Sequence, residues 1–200
     1  MTFTRLRTEW FTLIDRLYDE TKKSSLPCSE YCPNCLCEKD EKVYFLPFEM
    51  EYISEITGID LKASGFFWTM DIPYQGQNLP IALKSKQQIC PLLSEDNQCT
   101  IHENRPFDCR SFPLMPVFNN EQLSFELEIY CPLVNVQVDA QLKHFIKLYT
   151  RLWTSLVRRL PDSWKYLYWH SSTLIPEIDN SQKRPCHLDL SKYLIQTKQI

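Results

Sequence analysis

Residues 28–37 read Cys28-Ser-Glu-Tyr-Cys32-Pro-Asn-Cys35-Leu-Cys37, and the use made of these four thiols decides what kind of fold the chain has. From residue 28 to 42 the sequence holds a proline, many charges and no apolar period. Such a stretch reads as a loop that something other than a hydrophobic core must order. Gaps of two or three residues let one loop turn several sulfurs towards a common point. A thiolate-preferring ion requires this: Zn²⁺ takes up to four thiolates at ~2.3 Å in a tetrahedron, and iron–sulfur clusters use the same ligand.

The rest of the 200-residue chain bears on how the 9 Cys are read. Hydrophobic residues make up 44% and aromatic residues 13%, which is ample material for a buried core without disulfide staples. The first residues, MTFTRLRTEWFTLIDRLYDETKK, show no apolar run before a small-residue cleavage site. Nothing downstream approaches the ~18 apolar residues of a membrane helix. The expectation is a cytoplasmic protein with no membrane partner, where disulfides are rare and clustered cysteines serve metal binding or redox chemistry. A net charge of -3, from 22 basic and 25 acidic residues, gives no basic surface for nucleic acid. With 3 Gly in all, the chain has none of the glycine-rich phosphate loops of nucleotide-binding folds.

Phe3, Leu6, Trp10, Leu13, Ile14 and Leu17 recur at helical spacing, which predicts an amphipathic helix over about 3–20. A second helix is expected over 47–57, with Pro47 near its first position and Gly58 at its end. Residues 66–88 suggest one or two strands around a turn at 73–76, and 103–110 leave room for a short helical turn. Leu114–Phe118, an Asn119–Asn120 turn and the alternation over Leu123–Tyr130 predict a β-hairpin. Val138, Leu142, Phe145, Ile146, Tyr149, Leu152, Trp153, Leu156, Val157 and Leu160 mark the strongest helix, ended by Pro161, with a shorter one over 162–170. The fold class expected is α+β: a small irregular cysteine-rich metal-binding core with a β-hairpin, flanked by N-terminal and C-terminal helices. Its parts are the N-terminal helix (1–25), a cysteine-cluster domain (26–134), helices packing on it (135–172) and an irregular tail (173–200).

The second cysteine block, residues 90–113, reads CPLLSEDNQCTIHENRPFDCRSFP, and Cys131 follows in Tyr130-Cys131-Pro132. Its spacings are too wide to identify a site unaided. The block resembles the signature of the YkgJ-like cysteine-cluster proteins, the zinc- or iron-chelating CxxCxxCC domain. Cys90, Cys99, Ile101, Arg105, Pro106, Cys109, Arg110, Phe112 and Pro113 fall in place, and Leu46-Pro47-Phe48-Glu49 matches the stretch between the blocks. The family cluster closes with adjacent cysteines, whereas here Leu36 separates Cys35 from Cys37.

The resemblance implies metal ligands among Cys28, Cys32, Cys35, Cys37, Cys90, Cys99, Cys109 and Cys131, holding Zn²⁺, iron or a [4Fe–4S] cluster. Spacing separates these metals poorly. Eight thiols serve either one shared site or two, and a shared site is the first reading, since neither block orders itself and bound metal adds folding energy. Arg105 and Arg110, on either side of Cys109, are expected to surround the ligands, donating N–H groups to sulfur or carboxylate. Glu49 reads as a first-turn helix residue, and His102 as structural. The aromatic stripe Tyr149, Trp153, Trp164, Tyr166 and Trp169 reads as core, and Cys186 as a free thiol.

The function expected is metal binding in a structural, delivery or sensing role, with the metal ion as partner, no protein partner indicated and no enzyme activity in the first reading. The alternatives are metal-dependent enzymes. Cys28-x-x-x-Cys32-x-x-Cys35 has the spacing of radical S-adenosylmethionine enzymes, and flagellin lysine methylases carry cysteine clusters of this kind. Cys32-Pro-Asn-Cys35 is a C-x-x-C, but no strand precedes it as a thiol oxidoreductase needs.

Overall fold

The computed structural model describes residues 2–22, 24, 26, 42–63, 67–84, 90–96, 98–119, 122–128, 131, 134 and 139–174. Cys28, Cys32, Cys35, Cys37, Cys186 and the tail beyond 174 lie outside them. The described residues divide into two compact units, one from residues up to 24 and from 42 to 110, the other from 26 and 111 to 174.

In the first unit, helix α1 (Phe3–Thr21) buries Leu6, Trp10, Ile14, Leu17, Tyr18 and Thr21, one stripe at 3.6-residue spacing. Two of the apolar residues that foretold this helix sit elsewhere: Phe3 is 47% exposed and Leu13 half-buried. Tyr18 and Thr21, with polar tips, take core places instead. Helix α2 (Glu49–Thr57) packs against α1 through edge-on ring pairs, Phe11 with Tyr52 at 5.3 Å and Tyr18 with Tyr52 at 5.6 Å. Gly58, at φ 72°, ends α2 as the sequence predicts. Its start differs: Phe48, at φ 61°, occupies the cap in a left-handed conformation, which places Pro47 outside the helix. Glu49 then reaches back and accepts the Leu46 N–H at 2.8 Å.

Strands β1 (Val43–Tyr44), β2 (Trp68–Tyr74) and β3 (Gln77–Lys84) form an antiparallel sheet in the order β1-β3-β2. The expected turn is there, narrowed to Gln75 and Gly76. Both have positive φ, 49° and 74°, the geometry that a two-residue hairpin needs to match strand twist. The strands expected over 66–88 are β2 and β3, and the addition to the expected irregular core is β1, which pairs with β3 to complete a three-stranded sheet. Alternation is hidden in β3 because its last four residues, Ile81, Ala82, Leu83 and Lys84, are all buried.

In the second unit, β4 (Leu114–Asn119) pairs with β5 (Gln122–Leu127), with Asn119 opposite Gln122. Asn119 thus belongs to the strand, one residue beyond the expected strand end, and β5 ends at Leu127. Helices α4 (Asp139–Val157) and α5 (Asp162–Leu174) follow the spacing and the Pro161 stop. Tyr149, Trp153 and Trp164 are buried, as the stripe suggests. Tyr166 is instead 56% exposed, and Tyr168 stacks on Trp164 at 5.1 Å in its place, because α5 turns its other face inward. Trp153 lies 6.3 Å from both Trp164 and Tyr168. Trp153→Ala is expected to cost about 3–5 kcal/mol, the range for removing a fully buried large aromatic. Urea denaturation followed by near-ultraviolet dichroism checks it, and a loss below about 1 kcal/mol would mean the ring is not a core element.

No helix among the described residues is long and apolar enough to cross a membrane.

Candidate metal centre

Residues 90–110 build the candidate site from backbone turns rather than from a packed helix or sheet. The Cys90 carbonyl accepts the Leu93 N–H at 3.1 Å, and Leu93 forms an antiparallel bridge with Cys99. Two more bonds close this turn: Ser94 N–H to the Gln98 carbonyl at 2.8 Å and Thr100 N–H to the Leu92 carbonyl at 2.8 Å. Cys99 is thereby carried back along the segment that begins at Cys90. A 3₁₀ turn, His102–Asn104, comes next, and Arg105 is extended at φ -63°, ψ 152°. Extension there follows from Pro106, whose ring disfavours helical geometry in the preceding residue. Helix α3 (Phe107–Ser111) then presents Cys109 and Arg110, anchored by the fully buried Phe107.

The thiols of this segment interact. Burial raises the Cys109 thiol well above its ordinary value, and Asp108, Cys90 and Cys99 raise it further by charge repulsion, while Arg105 opposes them. The turn through Leu93 carries Cys99 back towards Cys90, nine positions earlier, and Cys109 follows ten positions further on. Each is half-buried and free of disulfides. Among the described residues no three His, Cys, Asp or Glu side chains close into an arrangement that could hold a metal ion. Cys131 is buried in the second unit, at the turn where its N–H meets the Glu128 carbonyl at 3.2 Å.

Both arginines are buried, Arg105 at 8% exposure and Arg110 at 5%. Arg110 donates Nε–H to the Arg105 carbonyl at 2.9 Å, an Nη1 hydrogen to Thr21 Oγ1 at 3.1 Å and an Nη2 hydrogen to the Glu103 carbonyl. Its guanidinium also lies over the Tyr18 ring at 3.8 Å. Arg105 meets His102 Nε2 through Nη1, but its buried Nε has no hydrogen-bond partner. His102 is held by this contact and by Glu103, and its pKa is lowered by burial and by Arg105, which favours the neutral ring.

The donor chemistry suits a thiolate-bound ion: Cys90, Cys99 and Cys109 lie in one turn-ordered segment that also holds the buried, unpartnered Nε–H of Arg105. An unpartnered buried guanidinium N–H is costly unless an acceptor arrives, and a metal-bound thiolate is such an acceptor.

Sequence reasoning missed the group that anchors this segment. Glu49 is the first-turn helix residue expected, and it is also fully buried. Its Oε1 accepts from Tyr18 OH at 2.9 Å and from the Phe107 N–H at 2.7 Å. Burial pushes its carboxyl up to about 7, against the pull of these donors and of Arg110. The legible signal was a tyrosine and a threonine inside the apolar stripe of α1, where a polar partner had to exist.

Cysteines in a turn-ordered segment with two buried arginines, on an α+β scaffold, make up the candidate site. A family model described as "Putative zinc- or iron-chelating domain" (CxxCxxCC) matches residues 27–132, more than half of the chain, and the protein belongs to that family. It thus carries a zinc- or iron-chelating domain. No curated protein and no solved structure matches the chain.

Proposed function

We propose that this protein binds zinc or iron through its clustered cysteines and uses the bound metal in a structural, delivery or sensing role. Cys90, Cys99 and Cys109, in the described turn segment, are the first candidate ligands; Cys28, Cys32, Cys35, Cys37 and Cys131 are the further candidates. The observation that carries the reading is the match of the chelating-domain family model to residues 27–132, a span that holds Cys90, Cys99 and Cys109 in a segment ordered by turns. Arg105 donates its free Nε–H to a ligating sulfur, and Arg110 holds the carbonyls of Glu103 and Arg105, so that the chain path around Cys109 is set.

Native mass spectrometry of the anaerobically purified protein, with elemental analysis, tests this. Whole-number zinc or iron is expected, and a folded protein that neither carries nor takes up either metal would overturn it. Acid should release the metal. Cys109 holds its proton at neutral pH, so binding must expel that proton, and affinity rises with pH as the competing proton becomes easier to lose. Calorimetric titrations of Zn²⁺ in buffers of different ionisation heat would read the protons released; zero protons would contradict thiolate ligation.

A further inference from the structure

We propose that Glu49 is the positioning residue of the cysteine centre, setting Cys109 through its hydrogen bond to the Phe107 N–H. This rests on the metal-binding reading above and says which group, outside the ligands, controls it.

Three ties hold α3 from outside its own segment. Glu49 Oε1 accepts the Phe107 N–H, Asp108 Oδ2 accepts the Tyr44 N–H at 2.9 Å, and Arg110 reaches Thr21 and Tyr18 on α1. The first is the pivotal one. Phe107 opens the five-residue helix that carries Cys109 two positions on, too short to hold its own axis by internal hydrogen bonds. The other end of the carboxylate is fixed as well: Oε2 takes the Leu46 N–H, and Oε1 also takes Tyr18 OH. Glu49 therefore links α1, the entry to α2 and α3 at one fully buried point. None of its three contacts is to a candidate ligand, so it acts on the metal only by placing Cys109.

The two oxygens have separable duties, and this makes the idea testable. Glu49→Gln keeps a carbonyl oxygen for Phe107 and Tyr18 but turns an amide NH₂ towards the Leu46 N–H. It should lose stability while keeping metal affinity. Glu49→Ala loses the Phe107 tie as well, and should bind Zn²⁺ about 10–100-fold more weakly, the range for losing an outer partner of a metal ligand. Tyr18→Phe removes one donor to the same oxygen and should weaken Zn²⁺ roughly two- to tenfold, the worth of one hydrogen bond.

The experiment is Zn²⁺ competition against a chromogenic chelator, together with the ligand-field spectrum of the Co²⁺-loaded protein and urea denaturation of each metal-free variant. Glu49→Gln matching the wild type in affinity and Co²⁺ spectrum, with Glu49→Ala shifted in both, supports the proposal. Glu49→Ala with wild-type affinity and spectrum overturns it, as does Glu49→Gln binding as weakly as Glu49→Ala. Where Glu49→Ala does not fold, Tyr18→Phe decides, and unchanged affinity in it overturns the proposal. A folded wild type that binds neither Zn²⁺ nor Co²⁺ removes the metal-binding reading itself, and this one with it.

Discussion

Cys109→Ser is expected to strip most of the metal-induced stabilisation from the protein. A serine hydroxyl is nearly the same size as the thiol but does not ionise at neutral pH, so the metal would lose an anionic ligand while the apo fold changes little. Losing a ligand should weaken binding by at least the ~100-fold upper range for an outer partner. At a metal concentration a hundredfold above the wild-type Kd, binding stabilises the wild type by about 2.7 kcal/mol. The variant, with its Kd raised to that concentration, keeps only about 0.4 kcal/mol. For a chain of this size the difference corresponds to about 5–9 °C in Tm. Thermal melts of wild type, Cys99→Ser and Cys109→Ser, each with and without Zn²⁺, read this directly. Equal metal-induced shifts in all three would remove the 90–109 segment from the site.

The second large effect is expected from Arg110→Met in the metal-free protein. The substitution keeps an unbranched apolar stem but deletes three hydrogen bonds and the cation resting on Tyr18. It also leaves the buried Glu49 carboxylate without the arginine that lowers its pKa. Removing one partner from a buried charge arrangement costs about 3–5 kcal/mol, a large share of the ~5–15 kcal/mol that holds a domain together. Arg110→Lys should recover little, because a single ammonium does not reach three acceptors arranged for a planar fork.

The loss should depend on pH with a definite sign. Glu49 has a folded-state pKa of about 7, above its ordinary 4.5, so its proton favours the folded state at low pH. That contribution falls away as pH rises from 4.5 through 7. Without Arg110 the carboxyl shifts higher still, and Arg110→Met should be least destabilised near the acidic end and most destabilised above neutrality. Urea denaturation at several pH values checks both points. A variant within about 1 kcal/mol of wild type at alkaline pH would mean the buried network contributes little.

Periodicity made the helices legible. The stripes of α1 and α4 each bury six or more side chains, and such repetition survives a misplaced Phe3 or Leu13. The β2–β3 hairpin was half legible from its turn residues, but β3 is covered on both faces at its end, and a fully buried strand does not alternate. The Asn119–Asn120 turn slipped by one residue because asparagine is also tolerated as a strand's last residue, and only the pairing of Asn119 with Gln122 shows where the strand ends.

Glu49 stands in the first turn of α2 as expected, but its burial was not legible, for a physical reason. A glutamate in the first turn of a helix is stabilised by the dipole, and nothing local distinguishes an exposed one from a buried one. Its partners lie 31 and 58 residues away, so only the folded chain reveals them.

By itself the sequence determined the helical stripes, the presence of both hairpins and the membership of a chelating-domain family. These depend on side-chain chemistry and short-range spacing. Tertiary structure decided that Cys99 is folded back towards Cys90, that both arginines are buried, and that Glu49 ties α1 to the short helix carrying Cys109. Such facts depend on loop closure over tens of residues, where the path of the chain, not its local pattern, sets which groups meet.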